Sequence, residues 1–386
     1  MTKVTSLLAT LMNFKCDTQI IKSACASASK ASSVKATIPT LKGLLLEAKE
    51  NCLTITGYDL QLGIKKSITA EVSDTGAIIV DATMLNNILS KVKGNTVEFA
   101  LENNNLVRIK SGRARFKING INAEDFPEIP AVTGENFSLT EKDFLKMISV
   151  PIFAAADECQ QKPISTGLNF ELSDGCLTTY TLDGYRLALY RLFNDFVGSY
   201  SFTVPKRTIK CISKEISDSE EKIVNITLSA NHIHIVTDEY DFFSRLLEGE
   251  RFNYKNAIPN KFVFETIIDV DSTAESINCC APIIESSQKN PIRCEFDGNQ
   301  LNIKTKSVLG EVEDTIDIET TMQETPVTIG FNAKYLLEAL NNIPPEHSKV
   351  TYKLAGPVSP SVIVPNKDDD SNEKFLFMVL PMRLKN

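Results

Sequence analysis

The sequence predicts an α+β fold made of three copies of one domain, each with two helices packed on a mostly antiparallel sheet. Three observations predict it: a block of residues that recurs at fixed spacing, an amphipathic helix at the corresponding place in each copy, and short alternating strands between the helices. Pro39, Gly43, Leu44, Glu47, Cys52, Leu53, Thr54 and Asp59 return at the same spacings as Pro163, Gly167, Leu168, Glu171, Cys176, Leu177, Thr178 and Asp183, 124 positions on. Glu295 and Leu301 keep the spacing of Glu171 and Leu177 after a further 124. That period is the size of a small domain and far longer than a solenoid unit. The predicted domains are 1–132, 133–258 and 259–386, with linkers near Pro127–Gly134 and Asn256–Asn260.

The first helix of each copy is expected at Thr18–Lys30, Thr140–Glu158 and Thr273–Lys289, the latter two kinked or shortened by Pro151 and Pro282. Asp81–Val92 is a second helix, with Met84, Leu85, Ile88, Leu89 and Val92 on one face and Asp81 as N-cap. Its counterparts are Pro205–Lys214, with Pro205 in the first turn, and Asn332–Leu340, capped by Asn332.

Between the helices, Val97–Leu101, the turn Asn103–Asn105 and Leu106–Lys110 read as a hairpin, and Arg113–Ile118 continues the meander. Val224–Ser229, Ile233–Thr237 and Val350–Leu354 are similar strands. Tyr180–Leu192 carries Asp183-Gly184 between apolar-alternating flanks, so it reads as two strands joined by a tight turn.

With 386 residues, 42% of them hydrophobic, the chain has ample material for sizeable cores. No apolar run approaches the roughly 18 residues that cross a bilayer, and the Ser6–Met12 run lacks a cleavage site, so the expected location is the cytoplasm. Nine cysteines without a Cys-x-x-Cys pair point to reduced thiols rather than a disulfide framework or a zinc site. Cys279 and Cys280 are expected on a helix that faces a core.

A net charge of −8 argues, as an average, against phosphate binding. The charge is segregated, however. The six helices and their ends carry twelve basic and nine acidic residues, a net +3, which leaves −11 on the remainder. The densest basic cluster is Lys206, Arg207, Lys210 and Lys214, spaced to share one helical face. Such a surface suits sliding along a phosphate backbone, and it equally suits a solvated surface helix. No base-reading motif accompanies it.

Enzyme signatures are scarce: there is no P-loop, no Gly-x-Ser-x-Gly, no His-Glu-x-x-His and no dinucleotide fingerprint. His232 and His234 point to one side of a strand, but no acid or cysteine pattern completes a metal site, and Asp368–Asp370 reads as a solvated loop. The repetition of Glu47, Glu171 and Glu295 points to a structural role. No catalytic residue, metal or cofactor is expected. Two other classes stay open on the residues alone. One is a repeat-built hydrolase or metal-dependent enzyme, in which His232 and His234 converge with Asp238; the other is a monomeric DNA-binding or scaffold protein.

The pattern Thr181-x-Asp183-Gly184-x-Arg186-Leu187-Ala188 and the chain end Leu380-Pro381-Met382-Arg383-Leu384 resemble two signatures of the bacterial DNA polymerase III beta subunit family, the replication sliding clamps. The likeness runs from Asn13 to Asn386. Family chains usually open at a strand such as Asn13–Ile21, so residues 1–12 read as an extension, with Met12 an alternative start. The resemblance implies a head-to-tail homodimeric ring of six domains, helices lining a hole, that holds double-stranded DNA topologically and without sequence preference. It implies a non-enzymatic processivity factor, with no membrane association.

By the same resemblance, DNA polymerase and clamp-loader subunits insert short peptides with hydrophobic anchors into a pocket between the second and third domains. Carried over by position, the pocket comprises Leu182, Gly184, Tyr185, Arg186, Leu187, Ala257, Met378, Val379, Leu380, Pro381, Met382, Arg383 and Leu384. Tyr185 stands where the family often has histidine. Arg113 and Phe116 are implied to meet Ile283 and Ile284 of a second copy. Lys35, Lys206 and Arg207 match basic DNA-facing positions, which Lys210 and Lys214 extend. The family's glutamine-bearing loop aligns poorly with Glu158–Lys162, so Gln160 and Gln161 carry no assignment.

Overall fold

Asp17 ends the first strand and begins the first helix: its carboxylate accepts the N–H groups of Gln19 and Ile20 at 2.8 and 3.0 Å. The expected strand Asn13–Ile21 is therefore Met12–Asp17, followed by helix α1, Thr18–Ala28. The computed structural model describes residues 12–33, 36–157, 162–173, 175–194, 198–284, 291–366 and 373–384. The remaining helices are α2 (Ala82–Lys91), α3 (Glu141–Ser149), α4 (Lys206–Ile212), α5 (Val270–Cys279) and α6 (Ala333–Asn341).

Asp81 and Asn332 cap α2 and α6 as expected, accepting from Met84 N and Lys334 N. Three helices differ from expectation. Helix α3 stops at Ser149 instead of reaching Glu158, because Pro151 disfavours helical geometry at Val150; a short 3-10 turn, Ile152–Ala154, follows. Helix α5 begins at Val270, three residues early, because Asp269 supplies the cap by accepting from Ser272 N at 2.9 Å. Helix α4 starts after Pro205, which ends the strand Tyr200–Pro205, and it stops at Ile212, so Lys214 lies in a turn. Cys279 is exposed at the end of α5, whereas Cys280 is buried. The eight described cysteines are free thiols.

The chain divides into two compact units that do not follow the sequence repeats: residues 1–141 with 210–246, and residues 142–209 with 247–386. The first unit has a five-stranded sheet ordered Glu71–Asp74, Met12–Asp17, Thr96–Glu102, Leu106–Ser111, Ala114–Asn119. Its second sheet has nine strands. There Gly43–Lys49, Cys52–Tyr58 and Leu62–Thr69 continue directly into Tyr240–Arg245, His232–Val236 and Ile223–Leu228. Helices α1 and α2 pack together over a core in which Phe14 stacks on Phe99 at 4.8 Å beside Ile21, Leu46, Ile55 and Leu85.

Glu215, from the later segment of this unit, is tied to α1. It accepts from Ser27 at 2.8 Å, from Tyr240 at 2.5 Å and from Lys30. Burial opposes its ionisation, but these three donors outweigh burial and hold its carboxyl below the usual carboxylate range.

The second unit repeats the plan. Gly167–Ser173, Cys176–Leu182 and Arg186–Phe193 run directly into Glu373–Val379, Ser361–Pro365 and Lys349–Leu354, and a separate four-stranded sheet ends at Gly310–Asp317. The sequence repeat is thus a repeat of hydrogen-bond register. Cys52 pairs with Thr69 as Cys176 pairs with Phe193 and as Gln300 pairs with Asp317.

Candidate partner-binding site

The Asp183 turn builds the site. Asp183 Oδ1 accepts from Tyr185 N at 2.9 Å and Arg186 N at 3.1 Å, and Gly184 takes φ +89°, a left-handed conformation in which a side chain is strained. The same side chain aims Arg186, whose Nε donates to Asp183 Oδ2 at 2.9 Å. The rest of the guanidinium donates to Phe153 O at 3.1 Å and to the Glu338 carboxylate on α6, and it lies 4.5 Å from the centre of the Tyr335 ring. Burial, with the nearby Asp183 carboxylate, pushes the Tyr335 phenol above its ordinary pKa.

Strand pairing brings in the chain end. Leu187 lies opposite Met378 and Arg186 opposite Val379, and Leu380 N donates to Tyr185 O at 2.8 Å. Leu182, Gly184, Arg186, Leu187, Ala257, Met378 and Leu380, all expected, line one cavity of about 150 Å³, together with Phe252. Tyr185 is outside the lining, 59% exposed, with its ring 6.0 Å from Tyr335. Val379 alternates to the other side and is 1% exposed. Pro381–Leu384 continues past the cavity: Met382 N donates to Gly330 O at 2.8 Å, Leu384 packs at Gly330, and Arg383 is exposed.

Sequence reasoning missed Phe252, Phe153, Tyr335 and Glu338. Phe252, an aromatic in the polar stretch Glu250–Asn256, was a readable signal; nothing in the sequence ties Glu338 to Arg186, 152 positions away. Among the described residues, the cavity walls carry leucine, methionine, phenylalanine, alanine and one fixed guanidinium, without a nucleophile or proton-transfer group. This is chemistry for holding an apolar anchor, and the adaptable methionine suits several such anchors.

The other expected residues lie elsewhere. Phe116 is half-buried in the strand Ala114–Asn119 and, with Met84, Asn87, Ile88 and Lys91, lines a groove of about 420 Å³; Arg113 is exposed just before that strand. Ile283 and Ile284 follow α5, their N–H groups donating to Cys280 O at 3.1 and 3.2 Å, and Ile283 faces Gly310. Lys206 is half-buried and donates to Ala155 O at 2.8 Å and Asp157 Oδ1 at 2.7 Å. Arg207, Lys210 and Lys214 are exposed. Lys35, Gln160, Gln161 and Asp368–Asp370 lie outside the described residues.

His234 pairs with Asp241 on the neighbouring strand, and His232 packs 5.0 Å from the Phe243 ring. Among the described residues, no group of three or more His, Cys, Asp or Glu is arranged to hold a metal. No described helix is long and apolar enough to cross a membrane.

Comparison with known proteins accounts for this architecture. Residues 12–130, 138–252 and 255–383 match the N-terminal, central and C-terminal domains of the DNA polymerase III beta subunit. The chain is 26% identical to the beta sliding clamp of Bacillus subtilis over 367 residues, covering 92% of this chain and 95% of that one. It is 24% identical to that of Staphylococcus aureus over 364 residues, covering 92% and 94%. A putative DNA polymerase III beta subunit from Eubacterium rectale superposes with a TM-score of 0.87 at 26% identity, over 96% of this chain and 99% of that one. The sliding clamp structure from Bacillus subtilis gives 0.89 at 24% identity, over 97% and 100%, a likeness of fold. The three matched domains span nearly the whole chain, which therefore belongs to the DNA polymerase III beta subunit family, the beta sliding clamps.

Proposed function

We propose that two copies of this chain close head to tail into a ring that encircles duplex DNA, and that the Asp183-turn cavity tethers DNA polymerase and clamp-loader subunits to it by short apolar peptides. In this reading the domains are 1–132, 133–258 and 259–386, the protein is a cytoplasmic, non-enzymatic processivity factor, and it uses no cofactor. Enclosure, rather than tight phosphate binding, suits a chain of net charge −8. Arg207, Lys210, Lys214 and the half-buried Lys206 supply weak contacts to the backbone.

One observation carries the reading. In each unit a three-strand set ends on a strand that joins the last strand of another set, and both joints have one register: Gly63 opposite Phe243, and Leu187 opposite Met378. A third such pair of strands exists, but both members end their sheets: Ala114–Asn119 and Gly310–Asp317. The same register between two copies sets Glu311 opposite Lys117, Val312 opposite Phe116 and Glu313 opposite Arg115. Opposite charges on facing strands favour this pairing and discourage each edge from pairing with its own kind. Ile283, beside Gly310, then enters the groove at Phe116, an apolar centre for a contact that closes by rotation.

The test is solution mass together with retention on circular and linearised DNA after loading by a clamp loader. A dimer that stays on circles and leaves cut ends is expected; a monomer, or equal retention on both forms, overturns the ring.

A further inference from the structure

A two-residue turn joins Gln300–Ser307 to Gly310–Asp317, and both of its residues are large and apolar: Val308, 85% exposed, and Leu309, 64% exposed. Turns of this length ordinarily hold glycine, asparagine or aspartate, which water tolerates. This turn is the third member of a set. Asp59 Oδ1 accepts from Gln61 N at 3.1 Å, Asp183 Oδ1 from Tyr185 N at 2.9 Å, and Ser307 Oγ from Leu309 N at 3.0 Å. The flanking strands keep one register, with Tyr58 opposite Gly63, Leu182 opposite Leu187 and Lys306 opposite Glu311. Leu60 takes φ +74° where Gly184 takes +89°, whereas in the third turn the positive φ, +152°, falls on Gly310. Leu309 therefore stands in the place of Tyr185, and Gly310 in the place of Arg186.

The second turn shows what that place touches. Leu380 N donates to Tyr185 O at 2.8 Å, the Tyr185 ring lies 6.0 Å from Tyr335 on α6, and Arg186 pairs with Glu338 further along that helix. Tyr335 and Glu338 are three and six residues past the cap Asn332; on α2, three and six past the cap Asp81, stand Met84 and Asn87. Gly310 and Asn87 cannot form the ion pair, so the apolar contact alone is left. Met84 is 49% exposed and lines the groove of about 420 Å³ with Ile88 and Phe116. An apolar cavity of about 150 Å³ takes one benzene-sized group, so the groove has room for more than Ile283. Ile283 Cδ1 lies 3.5 Å from where a Cβ on Gly310 would stand, which makes the turn and Ile283 one apolar patch.

We propose that Val308 and Leu309 form an apolar finger that a second copy covers, with Leu309 packing on Met84 of that copy, beside Ile283 in the same groove. The proposal rests on the head-to-tail reading above. On the register proposed there, Leu309 O faces Asn119 N of the second copy, as Tyr185 O faces Leu380 N within the chain. Three exposed apolar side chains thus leave water together.

The test is the dimer dissociation constant, read by sedimentation equilibrium, of the full chain and of three variants: Val308→Glu with Leu309→Glu, Met84→Lys, and all three changes together. These positions are exposed in the protomer, so the fold accommodates the charges. The turn variant and Met84→Lys are each expected to weaken the dimer by about tenfold or more, the scale of one apolar side chain returned to water. The triple variant sets opposite charges against each other across the joint and is expected to recover most of that loss. A wild-type dimer whose constant either of the first two variants leaves unmoved, or whose losses simply add in the triple variant, overturns this proposal and keeps the ring. A wild-type monomer overturns both.

Discussion

Asp183 and Arg186 hold each other at the mouth of the cavity: one carboxylate oxygen closes the turn by accepting two backbone N–H groups, and the other accepts Arg186 Nε at 2.9 Å. The turn that shapes the pocket therefore also fixes the guanidinium in its wall. Asp183→Ala leaves both functions unserved. It should lower stability by about 1–3 kcal/mol, the range for stranded buried hydrogen-bond partners, and weaken peptide binding. Thermal melting and peptide titration check this; unchanged values in both would show that Arg186 is held by Glu338 and Phe153 alone.

Leu60 and Gly184 offer a matched pair of backbone substitutions. No atom lies within 4 Å of a Cβ on Gly184, so Gly184→Ala adds strain without a clash and should cost about 1–2 kcal/mol. Leu60→Gly should be neutral or stabilising by up to about 1 kcal/mol, since relief of the left-handed leucine, which is 48% exposed, is partly offset by chain entropy. Melting curves of the two variants should move in opposite directions or the second not at all.

The Glu215 network predicts a pH dependence. Its folded pKa lies below the unfolded value of about 4.3, so its contribution is present above that pH and is lost as pH falls through the lower, folded value. Glu215→Gln should melt lower than the wild type at pH 7, and the gap should close as pH falls below about 4. A gap that stays constant with pH would mean the network is held by packing rather than by charge.

The proposed pairing of Ala114–Asn119 with Gly310–Asp317 across two copies predicts a charge-swap experiment. Arg115→Glu with Lys117→Glu should convert the dimer to monomer, and so should Glu311→Lys with Glu313→Lys. In the mixture one joint pairs the two altered edges and the other pairs the two unaltered ones, so both are complementary, and mixing the variants should give a closed heterodimer. Sedimentation of each variant and of the mixture is the check; dimers in both single-edge variants would remove these pairs from the interface.

How far the sequence was legible depended on whether the signal was local. Asp81, Asn332 and the Asp183-Gly184 turn act on their own neighbours, and they were read correctly. The spaced repeat from Pro39 to Asp59 was legible because it encodes a register that all three copies keep, the first two with the same residues and the third with few of them. What escaped was non-local. Asp269 captured the start of α5 ahead of Thr273, and Glu338 and Phe153 reach Arg186 from distant segments. The strand alternation that buries Val379 and opens Met378 to the cavity could be inferred only once both strands were paired.

The sheets that run on from one repeat into the next bear on how this protein can be dissected. A fragment cut at the sequence repeats, such as 133–258, would carry Tyr240–Arg245 without Leu62–Thr69, and Arg186–Phe193 without Glu373–Val379. Two long backbone edges would then lie bare, and such a piece should aggregate or borrow strands from its copies. Recombinant pieces for study are better cut so that each severed strand keeps the neighbour it pairs with.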